Sequence, residues 1–247
     1  MPLLSYGKTD IGRKRMTNQD AILIDPKHLL CLVADGMGGH QAGDIAAQTA
    51  IVVFQEFIQN NFHLEKKRLL QEALSYTNAT IYKKAQADSK LKGMGTTVTA
   101  HLYHEGALSI VHVGDSRSYL LSQGELFQLT KDHTFVQEKI NLGIYTREQA
   151  HLDKMKNVLL KTVGFDAQVE SDIYSYKVLK NDLFLLCSDG LYGRLSNLEI
   201  LGVLLHTIPD PASAQQKDLE NCVNALISMA NERGGQDNIS VILSLAH

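Results

Sequence analysis

Two apolar runs in this chain each end in Asp-Gly: LLCLVADGMGG over Leu29 to Gly39, and LFLLCSDGLYG over Leu183 to Gly193. Both are short, continuous and β-prone, the pattern of a strand buried on both faces. A carboxylate at the exit of such a strand is costly to bury unless it is paired or bound to a cation. One such site alone reads as a turn. Two of them, with GDSR at Gly114 to Arg117 and Asp237-Asn238 near the end, point to several carboxylates converging on metal ions.

The chain has 247 residues, 44% hydrophobic and 21% charged, which is ordinary globular composition with enough length for a sizeable core. With only 4 Pro and no block of Pro, Gly, Ser or like charge between two halves, a single domain is expected over residues 1–247. The net charge of -3 and a pI near 6.4 give no electrostatic case for nucleic acid or an anionic membrane surface. Cys31, Cys187 and Cys222 lie in apolar contexts, which suits a reducing compartment better than a disulfide framework. The opening MPLLSYGKTD lacks the basic and apolar regions of a signal peptide, and no apolar run reaches the ~20 residues that span a bilayer. The expectation is a soluble, cytoplasmic monomer that binds neither nucleic acid nor membrane.

Along the chain, Ser5 to Arg13 reads as a strand and turn, Asp20 to Asp25 as a strand, and Leu29 to Ala34 as the next. Apolar residues at helical spacing predict helices over Asp44 to Phe62, with Asp44 as N-cap, and over Glu65 to Ala87. The period then changes to two. Thr96 to Tyr103 and Ala107 to Asp115 read as a hairpin, and Ser116 to Thr130 as another turning at Gln123-Gly124. Lys131 to Gly164 is polar with helical fragments and reads as a long functional loop or flap. Strands near Val169 to Tyr176 and Leu183 to Cys187, helices over Ser196 to His206 and Ala212 to Arg233, and a strand over Ile239 to Leu245 complete the chain. Strands in blocks with helices in pairs predict an α+β fold with antiparallel sheets and segregated helices rather than alternating βαβ units.

The acids that follow apolar strands are Asp35, Asp115, Asp189 and Asp237. Hard cations such as Mg²⁺ and Mn²⁺ take oxygen ligands, and glycine beside the acid lets a carbonyl or a phosphate approach closely. HExxH, CxxC, the calcium-loop pattern and GxxxxGK[ST] are all absent from the sequence. Arg15, just before Asp20, is suited to grip a phosphate in bidentate fashion. Metals, an arginine and water make up a phosphoryl-hydrolysis site.

RMTNQDA (Arg15 to Ala21), VADGMGGHQAGDIAA (Val33 to Ala47), GMGTTVTA (Gly93 to Ala100), VGDSRSYLL (Val113 to Leu121), LTKDHT (Leu129 to Thr134), KNVLLKTVG (Lys156 to Gly164), CSDGLYG (Cys187 to Gly193) and GGQDNISVIL (Gly234 to Leu243) occur in order. Together they resemble the metal-dependent serine/threonine protein phosphatases of type 2C (PPM family) in their compact bacterial form. The resemblance implies two packed antiparallel β-sheets flanked by antiparallel helix pairs, an αββα sandwich. It implies hydrolysis of phosphoserine or phosphothreonine by a metal-bridging water or hydroxide, with no covalent enzyme intermediate, using two Mn²⁺ or Mg²⁺ ions and a third as in bacterial members. Asp35 matches the carboxylate that bridges the two metals and Gly36 a carbonyl ligand. Asp189 and Asp237 match ligands of the first metal, and Asp115 with Asp189 the third position. Arg15 matches the phosphate-binding arginine and Asp20 the acid that orients the water.

Three positions depart from the pattern. Gln19 stands where many relatives carry a glutamate ligand, which predicts a weakly held second metal, millimolar metal demand and a preference for Mn²⁺. Met37 replaces a histidine proposed as the leaving-group acid, so His40 or metal-bound water takes that task. Gly193 stands where an aspartate is common. The implied partners are a phosphoprotein substrate and the serine/threonine kinase that modifies it. Two alternatives stand beside this reading: a pseudophosphatase that binds a phosphoprotein or kinase without hydrolysing it, and a switch phosphatase acting on an anti-sigma-factor antagonist.

Overall fold

The computed structural model describes residues 3–38 and 42–247. The first half runs β1 (Leu3–Asp10), β2 (Asp20–Asp25), β3 (Leu30–Met37), α1 (Ala42–Asn60), α2 (Lys66–Ala87), β4 (Gly95–Thr96), β5 (Val98–His104), β6 (Ala107–Val113), β7 (Arg117–Ser122) and β8 (Glu125–Gln128). It continues through α3 (Phe135–Asn141), α4 (Arg147–Leu152), β9 (Asp172–Lys177), β10 (Leu183–Cys187), α5 (Asp189–Tyr192), α6 (Asn197–Thr207), α7 (Gln216–Glu232) and β11 (Ile239–Ala246). A 5-stranded sheet has the order β1-β11-β10-β7-β8, and a 6-stranded sheet has β2-β3-β5-β6-β9 with β4 on β3. All pairings are antiparallel.

Side-chain alternation explains why the two Asp-Gly strands read as unbroken apolar runs. In β3, Leu30, Leu32 and Ala34 pack under α1 and α2, whereas Cys31 and Val33 meet Leu186 and Ile242 of the other sheet. In β10, Leu183, Leu185 and Cys187 pack under α6 and α7, whereas Phe184 and Leu186 face inward. Each central strand is covered on both faces, so neither face can be polar. The result is the expected four-layer αββα sandwich. All three cysteines are free and buried.

Several boundaries differ from the sequence reading for local reasons. The first helix begins at Ala42, so Asp44 lies in its first turn and is not the N-cap. The strand predicted from Thr96 breaks at Thr97, whose N–H and hydroxyl bond the backbone of Asp35 at 2.8 and 2.9 Å. The last helix begins at Gln216 instead of Ala212, because Asp210 draws Ala212 N–H and Ser213 into a turn first. The segment read as a flap holds two short helices, α3 and α4, pinned at its base by the bridges Thr134↔Leu159 and Thr96↔Val163.

Candidate active site

The two Asp-Gly sites leave their strands differently. Asp35 and Gly36 remain within β3, while Asp189 and Gly190 open the single turn of α5. Both lie at the same end of the sandwich. Asp20, the first residue of β2, stands directly across from Asp35, so the two carboxylates share the inward face. Like charges placed directly opposite each other destabilise a sheet.

The second sheet contributes Ser188, whose hydroxyl donates to Asp20 Oδ2 at 2.7 Å and accepts from Ser240 N–H at 3.0 Å. Among the described residues, Asp20 Oδ1 and Asp189 Oδ1 are buried with no hydrogen-bond partner. Desolvation raises the Asp20 carboxyl to about 6 and the Asp115 carboxyl to about 7. Desolvation and then the neighbouring carboxylates of Asp20, Asp189, Asp115 and Asp237 push Asp35 well above the ordinary carboxylate range. Asp189 is raised in the same way, with Asp115 and Asp237 as its strongest neighbours. The structure therefore brings Asp20, Asp35, Asp115, Asp189 and Asp237 into one electrostatic cluster.

Arg15 faces the cluster from the loop between β1 and β2, with Nη2 2.7 Å from Asp237 Oδ2. That bond engages one arm of the guanidinium and leaves other N–H donors of the fork available. Asn238 holds this loop in place. Its side chain accepts from Gln19 N–H at 2.8 Å and donates to the carbonyls of Ile11 and Thr17 at 2.9 and 3.0 Å. Gly36 and Gly43 allow α1 to close against β3. A Cβ on Gly36 would stand 2.0 Å from the Gly43 carbonyl oxygen, and one on Gly43 would stand 2.7 Å from that of Gly36. A side chain at position 43 would cover the Gly36 carbonyl. Gly193 closes the turn of α5 through its N–H to Asp189 O at 2.7 Å, where a Cβ would also meet that oxygen at 2.7 Å. His40 lies outside the described residues.

The donor set is oxygen only, its buried lone pairs are unfilled, and its carboxylates are crowded. These features fit hard divalent cations. Among the described residues, no three His, Cys, Asp or Glu side chains close tightly enough to enclose an ion unaided. A Mg²⁺-like ion keeps several waters and needs only one or two carboxylates.

A cleft of about 720 Å³ opens beside the cluster and is lined by Arg15, Asp115, Asp189 and Asp237 on one side and by flap residues on the other. Its wall contains a contact that the sequence reading did not foresee. Arg117 from GDSR grips Asp132 from LTKDHT at 2.9 and 2.7 Å and stacks 3.6 Å over the Tyr192 ring, and Tyr192 in turn donates to the Asp115 carbonyl at 3.0 Å. Ser188 and Asn238 were likewise visible only as neighbours of the acids. The one signal in the sequence was their place beside Asp189 and Asp237.

The chain belongs to the protein phosphatase 2C family, whose sequence profile matches residues 9–243. It is 34% identical over 243 residues to the serine/threonine phosphatase stp of Listeria innocua, covering 96% of this chain and 93% of that protein. The structure of the S. agalactiae serine/threonine phosphatase superposes with a TM-score of 0.88 at 34% identity, covering 99% of this chain and 100% of that one. The catalytic domain of the serine/threonine protein phosphatase PstP, solved in complex with 2 manganese ions, superposes with a TM-score of 0.85 at 33% identity, covering 98% and 97%. The protein is thus a serine/threonine protein phosphatase of the bacterial 2C type acting on phosphoprotein substrates, and a binding-only role is not favoured. No helix among the described residues is long and apolar enough to cross a membrane.

Proposed function

We propose that this phosphatase hydrolyses phosphoserine and phosphothreonine at the Asp20–Asp35 end of the sandwich with two Mn²⁺ or Mg²⁺ ions. Asp35, the Gly36 carbonyl, Asp189 and Asp237 hold them, and Asp115 with Asp189 offers a third position. The observation that carries this reading is the facing pair of Asp20 and Asp35, with Asp20 Oδ1 and Asp189 Oδ1 buried and unpartnered among the described residues. When bound, the ions supply charge neutralisation and an activated water. Arg15 grips the phosphate through the donors that Asp237 does not engage. Asp20, fixed by Ser188, orients the attacking water and accepts its hydrogen bond. Thr97 and Ser188 hold the acids in place before substrate arrives, so little reorganisation is left for the reaction.

Residues 1–247 act as one catalytic unit with a flap over 131–164. The protein works as a cytoplasmic monomer opposing a serine/threonine kinase, and its buried free cysteines support a reducing compartment. Gln19, an amide where the family resemblance expects a carboxylate, leaves the second ion weakly held.

The test is phosphate release from a phosphothreonine peptide across a manganese titration, with an EDTA control, for wild type and Asp189→Asn. Manganese-dependent turnover that is lost in the variant is expected. No turnover from folded, metal-saturated wild type would overturn the reading.

A further inference from the structure

We infer that the cleft beside the phosphate site contains a second anion subsite, formed by Lys131, Lys156 and Arg194. It takes a carboxylate or a second phosphate carried by the substrate close to the phosphoresidue under attack. This inference rests on the phosphatase reading of the same cleft.

A cleft of about 720 Å³ is larger than one phosphorylated side chain needs. Asp115, Asp189, Asp237 and Arg15 are accounted for by metal and phosphate. Arg117 and Asp132 neutralise each other at 2.7 Å. Among the described residues, what remains charged along the cleft is cationic: Lys131, Lys156 and Arg194. None of these three has an ion-pair partner among the described residues, and the side-chain bond of Arg194 goes to neutral Gln236 Oε1 at 2.8 Å. The chain as a whole has a net charge of -3, so three unpaired cations on one cleft do not reflect a general excess of base.

Their placement is built into the fold. Lys131 lies where the flap leaves the sheet, and its carbonyl is 2.9 Å from His112 Nε2. Lys156 lies where the flap returns. The Thr134↔Leu159 bridge and the bond from Phe135 N–H to Val158 O at 2.9 Å hold these two ends together. Arg194, through Gln236, stands on the Asp237 side. The remaining flap residues inside the cleft are apolar, as Val136, Ile140 and Ala150, or neutral donors, as Thr134, Gln137 and Asn157. Among the described residues a second negative group on the substrate therefore finds unpaired opposite charge only in the three cations. Partly exposed cation–anion pairs acting together are worth about tenfold in kcat/KM and weaken as salt rises.

The experiment compares kcat/KM for phosphothreonine peptides of one sequence with a Gln, a Glu, a Lys or a second phosphothreonine flanking the target, in manganese, with release followed by site-resolved mass spectrometry. Wild type is expected to favour the Glu and doubly phosphorylated peptides over Gln by about tenfold, and to lose that preference at high salt. In the Lys131→Gln/Lys156→Gln double variant the ratio falls to near one, and Lys156→Glu shifts preference toward the Lys peptide. Because each ratio is measured on one enzyme preparation, a change in folded fraction cancels. Preference for only one of the two anions identifies the source. A wild-type ratio near one, or a ratio that survives the double substitution, overturns the subsite while leaving the phosphatase reading intact. No manganese-dependent release from any peptide overturns both.

Discussion

Strand β2 begins at Asp20 and ends at Asp25, and both side chains are buried, at 3% and 6% exposure. Asp25 is saturated with donors. It accepts from Lys27 N–H and His28 N–H at 3.0 and 3.2 Å, from Gln55 and Gln59 at 3.2 and 3.1 Å, and pairs with His28 Nδ1 at 2.8 Å. Those donors outweigh desolvation and hold its carboxyl below the ordinary range. Asp20 has Ser188 on one oxygen, no hydrogen-bond partner on the other among the described residues, and Asp35 directly opposite. The same residue type at the same depth on one strand is thus a finished structural joint at one end and an unsatisfied charge at the other. Burial alone does not mark a functional acid. The count of donors around it does.

The comparison breaks most visibly in catalysis. Asp20→Asn is expected to lower manganese-dependent turnover by about 10²-fold or more, while Asp25→Asn leaves turnover per folded molecule unchanged; phosphate release normalised to folded protein checks both. In stability the order reverses. Asp25→Ala strands the donors of His28, Gln55 and Gln59 and is expected to cost about 2–4 kcal/mol in urea unfolding. Asp20→Asn, assayed without metal, removes a charge facing Asp35 and is expected to add about 1 kcal/mol. A loss of stability from Asp20→Asn would show that its carboxylate is a structural joint as well.

The pH dependence sharpens the contrast. Asp25 is depressed in the folded state, so its stabilisation is present above about pH 4, the unfolded value, and is lost as pH falls further. Asp20, at about 6 when folded, binds its proton more tightly than the unfolded chain does. Its contribution is favourable below its unfolded value and declines as pH rises through 6. Asp115, Asp35 and Asp189 shift in the same direction. Metal-free Tm should therefore rise on acidification from roughly pH 7.5 to 5 and fall below about pH 4. Saturating manganese should flatten the first limb, because a bound cation competes with those protons. The smallest effect expected is for Gln19→Glu, which should lower the manganese concentration giving half-maximal rate by about tenfold; no change would end the case for a weakly held second ion.

Much of this was legible in the sequence. Leu29 to Ala34, Leu183 to Cys187 and Ile239 to Leu245 announced central strands, because strands covered on both faces cannot carry polar alternation. The short α5 after Cys187 was not legible, since Asp-Gly is equally at home in a turn. The flap helices were legible only as helical fragments without bounds, because their polar segments lack a periodic apolar face. Asp35, Asp189 and Asp237 stood out as acids after apolar runs. The joining of Arg117 to Asp132 did not, because a pair made across a hairpin leaves no fixed spacing to read.

Which strands lie inside, which acids follow them and the family to which those motifs belong are all written in the chain, because hydrophobic period and local turn chemistry act over a few residues. Strand register and sheet packing were needed to place Asp20 opposite Asp35, to bring Ser188 and Asn238 onto the site from the other sheet, and to gather Lys131, Lys156 and Arg194 along one cleft, none of them ion-paired among the described residues. Each of those facts depends on strand register and on the packing of two sheets. They are set by the whole core at once and by no single segment of the chain.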